Sequence, residues 1–241
     1  MSTLNYPFST TTLFGSTGLV GSHILNNLLS IPSVQTTTIS RRAPKPASEP
    51  SPQNLTALVD ADVNTWAPKL LTLSPIPHTV FSALGTTRAQ AGDVASQWKI
   101  DHDLNVELAK AAKAAGVKTF VFISATRTRG WPNSSIAYNK MKNGVEDAIR
   151  DLEFENSIIL KPGLIMGERK EEGRLLEGFS DKVIRGIGKV NSHVQDSLAQ
   201  KGQEIAHAAV RAAEIAAEGK APERYWILEV ADIVRHGRTE K

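Results

Sequence analysis

Residues 10–21 read Thr10-Thr11-Thr12-Leu13-Phe14-Gly15-Ser16-Thr17-Gly18-Leu19-Val20-Gly21, and their order decides the fold. Thr10–Phe14 is β-branched and apolar, as a buried strand requires. It runs straight into three glycines spaced three apart. Beyond them Val20, Ile24, Leu28 and Leu29 recur at the interval of one helix face, which predicts a helix over 19–29. Glycine lets the backbone turn tightly and lets another group come close. A helix that starts there aims its unpaired N–H groups and positive dipole end over the loop. Strand, glycine loop and helix together suit the pyrophosphate of a dinucleotide. Gly15, Ser16, Thr17, Gly18, Leu19, Val20 and Gly21 are therefore read as a cofactor loop. The plainer alternative is a turn whose glycines serve only the turn.

Outward from this loop, strand and helix signals alternate. Strands are predicted over 36–40, 55–59, 79–84, 117–124, 157–160 and 225–230, and helices over 19–29, 95–115, 137–152 and 197–218. Phe120-Val121-Phe122-Ile123 is apolar throughout, as a strand covered on both faces must be. Residues 43–52 carry Pro44, Pro46, Pro50 and Pro52 and read as an exposed loop. Parallel strands need crossovers, and these are helices. The expected fold is an α/β doubly wound parallel sheet, the Rossmann fold, in one domain over 1–241. Residues 167–193 fall outside the alternation and are expected to form a small cap.

Composition bounds the chemistry. At 41% hydrophobic and 22% charged, the 241 residues suit a globular chain large enough to bury its own core. With no cysteine, disulfides, thiolate zinc sites and cysteine nucleophiles are excluded. The six histidines are scattered, so no metal site is expected. A net charge of +3 suits an anionic ligand but is too small, without a basic stripe, to indicate nucleic acid. No run reaches the ~20 apolar residues of a membrane span. The first basic residue is Arg41, so the N-terminus lacks the Arg-rich helix of a mitochondrial presequence and is read as mature structure.

The second strand ends in Ser40-Arg41-Arg42, where NAD-preferring folds place an acid against the ribose hydroxyls. Two guanidiniums instead suit the 2′-phosphate of NADP, so NADPH is the expected cofactor. After the third strand, Asp60 or Asp62 is placed to accept from the adenine amino group. Ala83-Leu84-Gly85 ends the fourth strand, where glycine lets the chain pass close to the cofactor.

Tyr138-Asn139-Lys140-Met141-Lys142 holds a Tyr and a Lys four apart, on one helix face. An adjacent ammonium lowers a phenol's pKa, which suits Tyr138 to proton transfer. Ser124 ends the buried strand at the edge where doubly wound sheets bind ligands. Ser124 would donate to a substrate carbonyl, Tyr138 pass the proton and Lys142 hold the nicotinamide ribose. Asn105 is left as a polar helix residue.

Gly15, Gly18, Gly21, Ser124, Tyr138, Lys142 and Pro162-Gly163 together resemble the atypical short-chain dehydrogenases/reductases. Leu84-Gly85-Thr86-Thr87-Arg88 and Lys142-x-Gly144-Val145-Glu146 resemble one branch of these more closely. That branch holds the mammalian Tat-interacting oxidoreductase-like tumour suppressors and their fungal relatives of the mitochondrial proteome. The resemblance covers nearly the whole chain. It implies an NADPH-type site, with Ser40, Arg41 and Arg42 matching the phosphate-facing end of the second strand. Pro162 is counted with the cofactor residues, and Ser124, Tyr138 and Lys142 beside that site motivate turnover of a small carbonyl or alcohol. The resemblance also implies peripheral attachment to the mitochondrial outer membrane. It supplies no substrate and no oligomeric state, and the 43–52 loop lies outside its motifs. An NADPH-binding regulatory protein without turnover is the rival function. Leu175, Leu176, Phe179, Val183 and Ile187, with Lys182, Arg185 and Lys189, read either as the cap or as an amphipathic helix on an anionic membrane.

Overall fold

The computed structural model describes residues 6–47, 52–166 and 199–238. In chain order its strands are β1 (Thr10–Phe14), β2 (Gln35–Ser40), β3 (Leu55–Val59), β4 (Thr79–Ser82), β5 (Thr119–Ile123), β6 (Asn156–Leu160), β7 (Leu164–Met166), β8 (Ala199–Lys201) and β9 (Tyr225–Leu228). Seven of them form one sheet in the order β3-β2-β1-β4-β5-β6-β9, and every pair is parallel. β7 and β8 pair separately, also in parallel. The chain winds outward from β1 to β3, then crosses back to lay β4 on the other side of β1. That reversal opens a crevice at the carboxyl ends of β1 and β4, where such sheets bind ligands.

The helices are α1 (Leu19–Leu29), α2 (Trp66–Leu71), α3 (Arg88–Ala91), α4 (Val94–Trp98), α5 (Asn105–Ala115), α6 (Ala137–Asp151), α7 (Gly202–Ala217) and α8 (Val230–Gly237). Successive strand residues point to opposite faces, so each central strand feeds two cores. Leu13, Phe81, Val121 and Ile158 pack with α1 and with the buried alanines of α7. Their neighbours Phe14, Val80, Phe120 and Ile159 pack with α2, α5 and α6. Every residue of β4 and β5 is buried, as helices on both faces demand. The fold is a Rossmann-type α/β domain.

Departures from the sequence expectation have local causes. The helix expected over 95–115 is broken by a π-turn, Lys99–Leu104, between α4 and α5. There the Asn105 amide donates to the carbonyls of Ile100 (3.1 Å) and Asp101 (3.3 Å), drawing the backbone out of α register. The helix expected from Ser197 starts at Gly202, because Ala199–Lys201 pairs with β7. The last strand stops at Leu228, since Glu229 and Asp232 cap α8, a helix the sequence pattern did not reveal. The cap expected over 167–193, with its amphipathic stripe, lies outside the described residues.

Candidate functional site

Gly15, Gly18 and Gly21 are not equivalent. Gly15 has φ +80°, and a methyl there would lie 2.6 Å from the Ala83 carbonyl oxygen. A methyl on Gly21 would lie 2.0 Å from the Gly15 carbonyl oxygen. Both clashes are with backbone, so the turn itself requires these two glycines. Gly18 has φ −83°, and its methyl would touch only Gly15 oxygen, at 3.3 Å. That contact is tight, but a shift of a few tenths of an ångström relieves it, and the φ is one that any residue adopts. Its N–H closes the loop onto Gly15 oxygen at 3.0 Å. α1 then begins with no side-chain cap and no acid in its first turn. That leaves its positive end to an external anion. Ser16 is fully buried beside it, and its hydroxyl has no hydrogen-bond partner. A cradle that one methyl would fill, beside an orphaned hydroxyl, fits a bound pyrophosphate. Thr17 is exposed, Leu19 half-buried and Val20 buried against the core.

The flanking strands bring the other residues to the same edge. Phe14 is paired with Ile39, so Ser40-Arg41-Arg42 follows beside the loop. The Ser40 hydroxyl donates to the Arg42 carbonyl (2.7 Å) and folds that corner, while Arg41 and Arg42 are exposed. On the opposite side Ala83 N–H donates to Phe14 oxygen (3.1 Å), which sets Ala83, Leu84 and Gly85 along the loop. Asp60 follows β3, but its carboxylate serves its own turn. It accepts from Asp62 N–H (2.9 Å), Thr65 Oγ1 (2.7 Å) and the Lys69 ammonium. These donors, led by Lys69, hold its pKa down at about 2. Asp62 accepts from Asn64 and is equally engaged. Both carboxylates are thus tied into the turn after β3.

Ser124 follows the carboxyl end of β5, and Lys142 reaches it from α6, with Tyr138 one turn earlier on the same helix. Lys142 is buried, donates to the Ile123 carbonyl (3.1 Å) and lies 4.8 Å over the Phe122 ring. Its ammonium would sit 3.9 Å from a methyl built on Gly85. Burial drives its pKa down, and the charges of Asp101 and Glu146 oppose this. Tyr138 keeps 38% of its surface, yet desolvation, with Asp101 second, pushes its phenol up to about 12. This reverses the expected lowering. The ammonium spends its hydrogen bond on Ile123, while a carboxylate faces the phenol. Ser124, just past the end of β5, is buried. Its hydroxyl donates to the buried Glu146 carboxylate at 2.5 Å instead of standing free for a carbonyl. Lys161 (3.0 Å) and Arg129 (3.1 Å) neutralise the other Glu146 oxygen. Pro162 is buried, its carbonyl accepting from Thr126 N–H at 2.8 Å.

Asp101 and Glu146 were not singled out in the sequence, although a signal was present. Gln97, Asp101 and Asn105 recur four apart, and all three are buried. Glu146 falls four residues after Lys142, on the same helix face. No group of three or more His, Cys, Asp or Glu side chains able to hold a metal occurs among the described residues.

Residues 15–186 match a family described as NAD(P)H-binding. The chain is 54% identical over 235 residues to "Protein fmp-52, mitochondrial" of Neurospora crassa, with 96% of each chain covered. It is 51% identical over 232 residues to "Protein FMP52, mitochondrial" of Chaetomium globosum, covering 95% of this chain and 97% of that one. The chain belongs to the fungal Fmp52 family. Among solved structures, a UDP-N-acetylglucosamine 4-epimerase from Methanobrevibacter ruminantium superposes with a TM-score of 0.68 at 17% identity, covering 92% of this chain and 76% of that one. A UDP-glucuronic acid 4-epimerase from Bacillus cereus, in complex with NAD, gives 0.63 at 16%, covering 91% and 77%. At such identities the likeness is one of fold.

The Asp60 cluster has a pH signature. Its folded pKa of about 2 lies below the ordinary 3.8, so the carboxylate stabilises the fold above that ordinary value, and the gain is lost as pH falls toward 2. Unfolding free energies measured by urea between about pH 4 and pH 2 should fall less steeply for Asp60→Asn than for the parent chain. Equal slopes would show that Asp60 is not held this way.

Proposed function

We propose that this Fmp52 protein is an NADP-dependent oxidoreductase of the short-chain dehydrogenase/reductase type, acting on a small carbonyl or alcohol. One observation carries the reading. The buried Lys142 ammonium stands against Gly85 at the same sheet edge as a glycine loop whose middle residue, Gly18, the fold alone does not require. In this reading the loop 15–21 and the start of α1 hold the pyrophosphate, and Ser40, Arg41 and Arg42 receive the 2′-phosphate. Asp60 shapes the adenine end through the turn it ties, and Ala83, Leu84, Gly85 and Pro162 form the walls. A bound nicotinamide supplies or accepts the hydride. Lys142 orients the ribose. Tyr138, protonated at neutral pH, gives a proton to the carbonyl oxygen in the direction of reduction. Ser124, its proton committed to Glu146, offers lone pairs toward the site.

The names of the relatives support a mitochondrial address. Peripheral attachment to the outer membrane, facing the cytosol, is part of the same proposal; among the described residues no helix is long and apolar enough to cross a membrane. A second reading, NADPH binding for regulation without turnover, is favoured by the engaged Ser124 hydroxyl and the high Tyr138 pKa. Both weaken the proton relay without touching the cofactor loop.

NADPH at a hundred times its Kd should raise the thermal midpoint by about 5–10 °C, and NADH at equal concentration by less. A larger shift with NADH would overturn the role given to Arg41 and Arg42. Tyr138→Phe should keep the NADPH shift and lose NADPH oxidation across a panel of small aldehydes and ketones. Undiminished oxidation in that variant would remove Tyr138 from the chemistry. A shift without oxidation by the parent chain would select the regulatory reading.

A further inference from the structure

Asp101 is a carboxylate with no exposed surface, set inside the π-turn between α4 and α5. An uncompensated charge in such a place is strongly unfavourable. Its partners are few and directional. Oδ1 accepts the Thr86 N–H at 2.7 Å and Oδ2 the Gln97 amide at 3.2 Å. Neither donor carries a charge. Burial pushes the Asp101 carboxyl pKa up, and the charge that first opposes this is the Lys142 ammonium, across the turn that follows β4. Two contacts fix this arrangement: Thr86 binds Asp101, and the preceding Gly85 stands against Lys142. The π-turn is what directs Asp101 there. Asn105 holds the carbonyls of residues 100 and 101, and its own Oδ1 is fixed by the Ser82 hydroxyl of β4 at 2.6 Å.

We propose that Asp101 is a positioning residue for Tyr138 and Lys142: its buried carboxylate is the fixed counter-charge that holds the Lys142 ammonium behind Gly85 and ties it to the 85–86 turn. The proposal rests on the reading of Tyr138 and Lys142 given above. Other groups around the pair are accounted for. Glu146, one turn along α6, is the second carboxylate near Lys142, but it is already bound to Lys161, Arg129 and Ser124. β5 contributes only the Ile123 carbonyl and the Phe122 ring. Next to Asp101, His102 bonds to Asp103 at 2.8 Å and packs on Trp98. Among the described residues, Asp101 is the charge that acts on Tyr138. Asp101 therefore acts on both members of the pair: its charge opposes the fall that burial imposes on the Lys142 pKa, and it adds to burial in raising that of the Tyr138 phenol. A strand-end turn, a π-turn and the α6 pair become one electrostatic unit.

The test uses the full chain without nucleotide, labelled with 13Cε-lysine and 13Cγ-aspartate. The Lys142 resonance is identified by its loss in Lys142→Met, and its titration is followed by NMR. Asp101→Asn keeps the shape of the side chain and removes the charge. Its Lys142 midpoint should lie at least ~1 pH unit below that of the parent chain. An unchanged midpoint overturns the proposal. If Asp101→Asn does not unfold cooperatively, the parent chain decides. Its Asp101 13Cγ resonance should step at the Lys142 midpoint, and a carboxyl signal indifferent to Lys142 overturns the proposal equally. With no nucleotide present, a failure to bind NADPH or to turn over a carbonyl counts against the proposed function and leaves this measurement intact.

Discussion

The carboxyl edge of the sheet depends on how closely α1 approaches the end of β1. At Gly21 the helix backbone passes so near the Gly15 carbonyl that a methyl would have 2.0 Å of room. At Gly15, where φ is positive, a methyl would meet the Ala83 carbonyl oxygen at 2.6 Å. These two contacts fix the start of α1 between the ends of β1 and β4, at the point where the sheet reverses its winding. The consequences are geometric. The uncapped helix end faces outward over the loop, the Ser40–Arg42 corner stands on one side and the Ala83–Gly85 wall on the other.

A second constraint governs the other half of the site. Lys142, Asp101 and Glu146 are ionisable groups with almost no solvent access. Burying such groups is tolerated only when charges and hydrogen bonds satisfy one another. The protein meets this with two separate clusters. Glu146 is balanced by Lys161 and Arg129 and draws in the Ser124 hydroxyl. Asp101 is hydrogen-bonded by the turn after β4 and faces Lys142. Satisfaction of buried charge thus sets the orientation of Ser124, Tyr138 and Lys142.

Most of the architecture was legible in the sequence because its cause is periodic. Thr10–Phe14, Leu19–Leu29 and Leu55–Val59 were read with the observed limits, since apolar spacing, β-branching and glycine punctuation act locally. The π-turn was not legible, because it arises from an Asn105 side chain bonding backbone carbonyls one turn earlier. α8 was hidden by its brevity and by the acids Glu229 and Asp232 that cap it. At the site the residues themselves could be named, but their proton partners could not. Ser124 meets Glu146 across 22 positions, and Tyr138 meets Asp101 across a helix packing that no spacing rule encodes. Asp60 shows the same limit, its Lys69 partner lying on a helix the sequence pattern missed.

The claim at the centre is that the glycine loop seats a dinucleotide and is more than a turn. Gly18 separates the two, because the fold tolerates a side chain there and a close-lying pyrophosphate does not. A titration of NADPH by its fluorescence into Gly18→Ala, with unfolding followed in parallel, measures this directly. The account predicts a Kd raised by a factor of ten or more, roughly the worth of one lost close contact at ~1.4 kcal/mol, with the nucleotide-free thermal midpoint nearly unchanged. A variant that binds NADPH as tightly as the parent chain would contradict it.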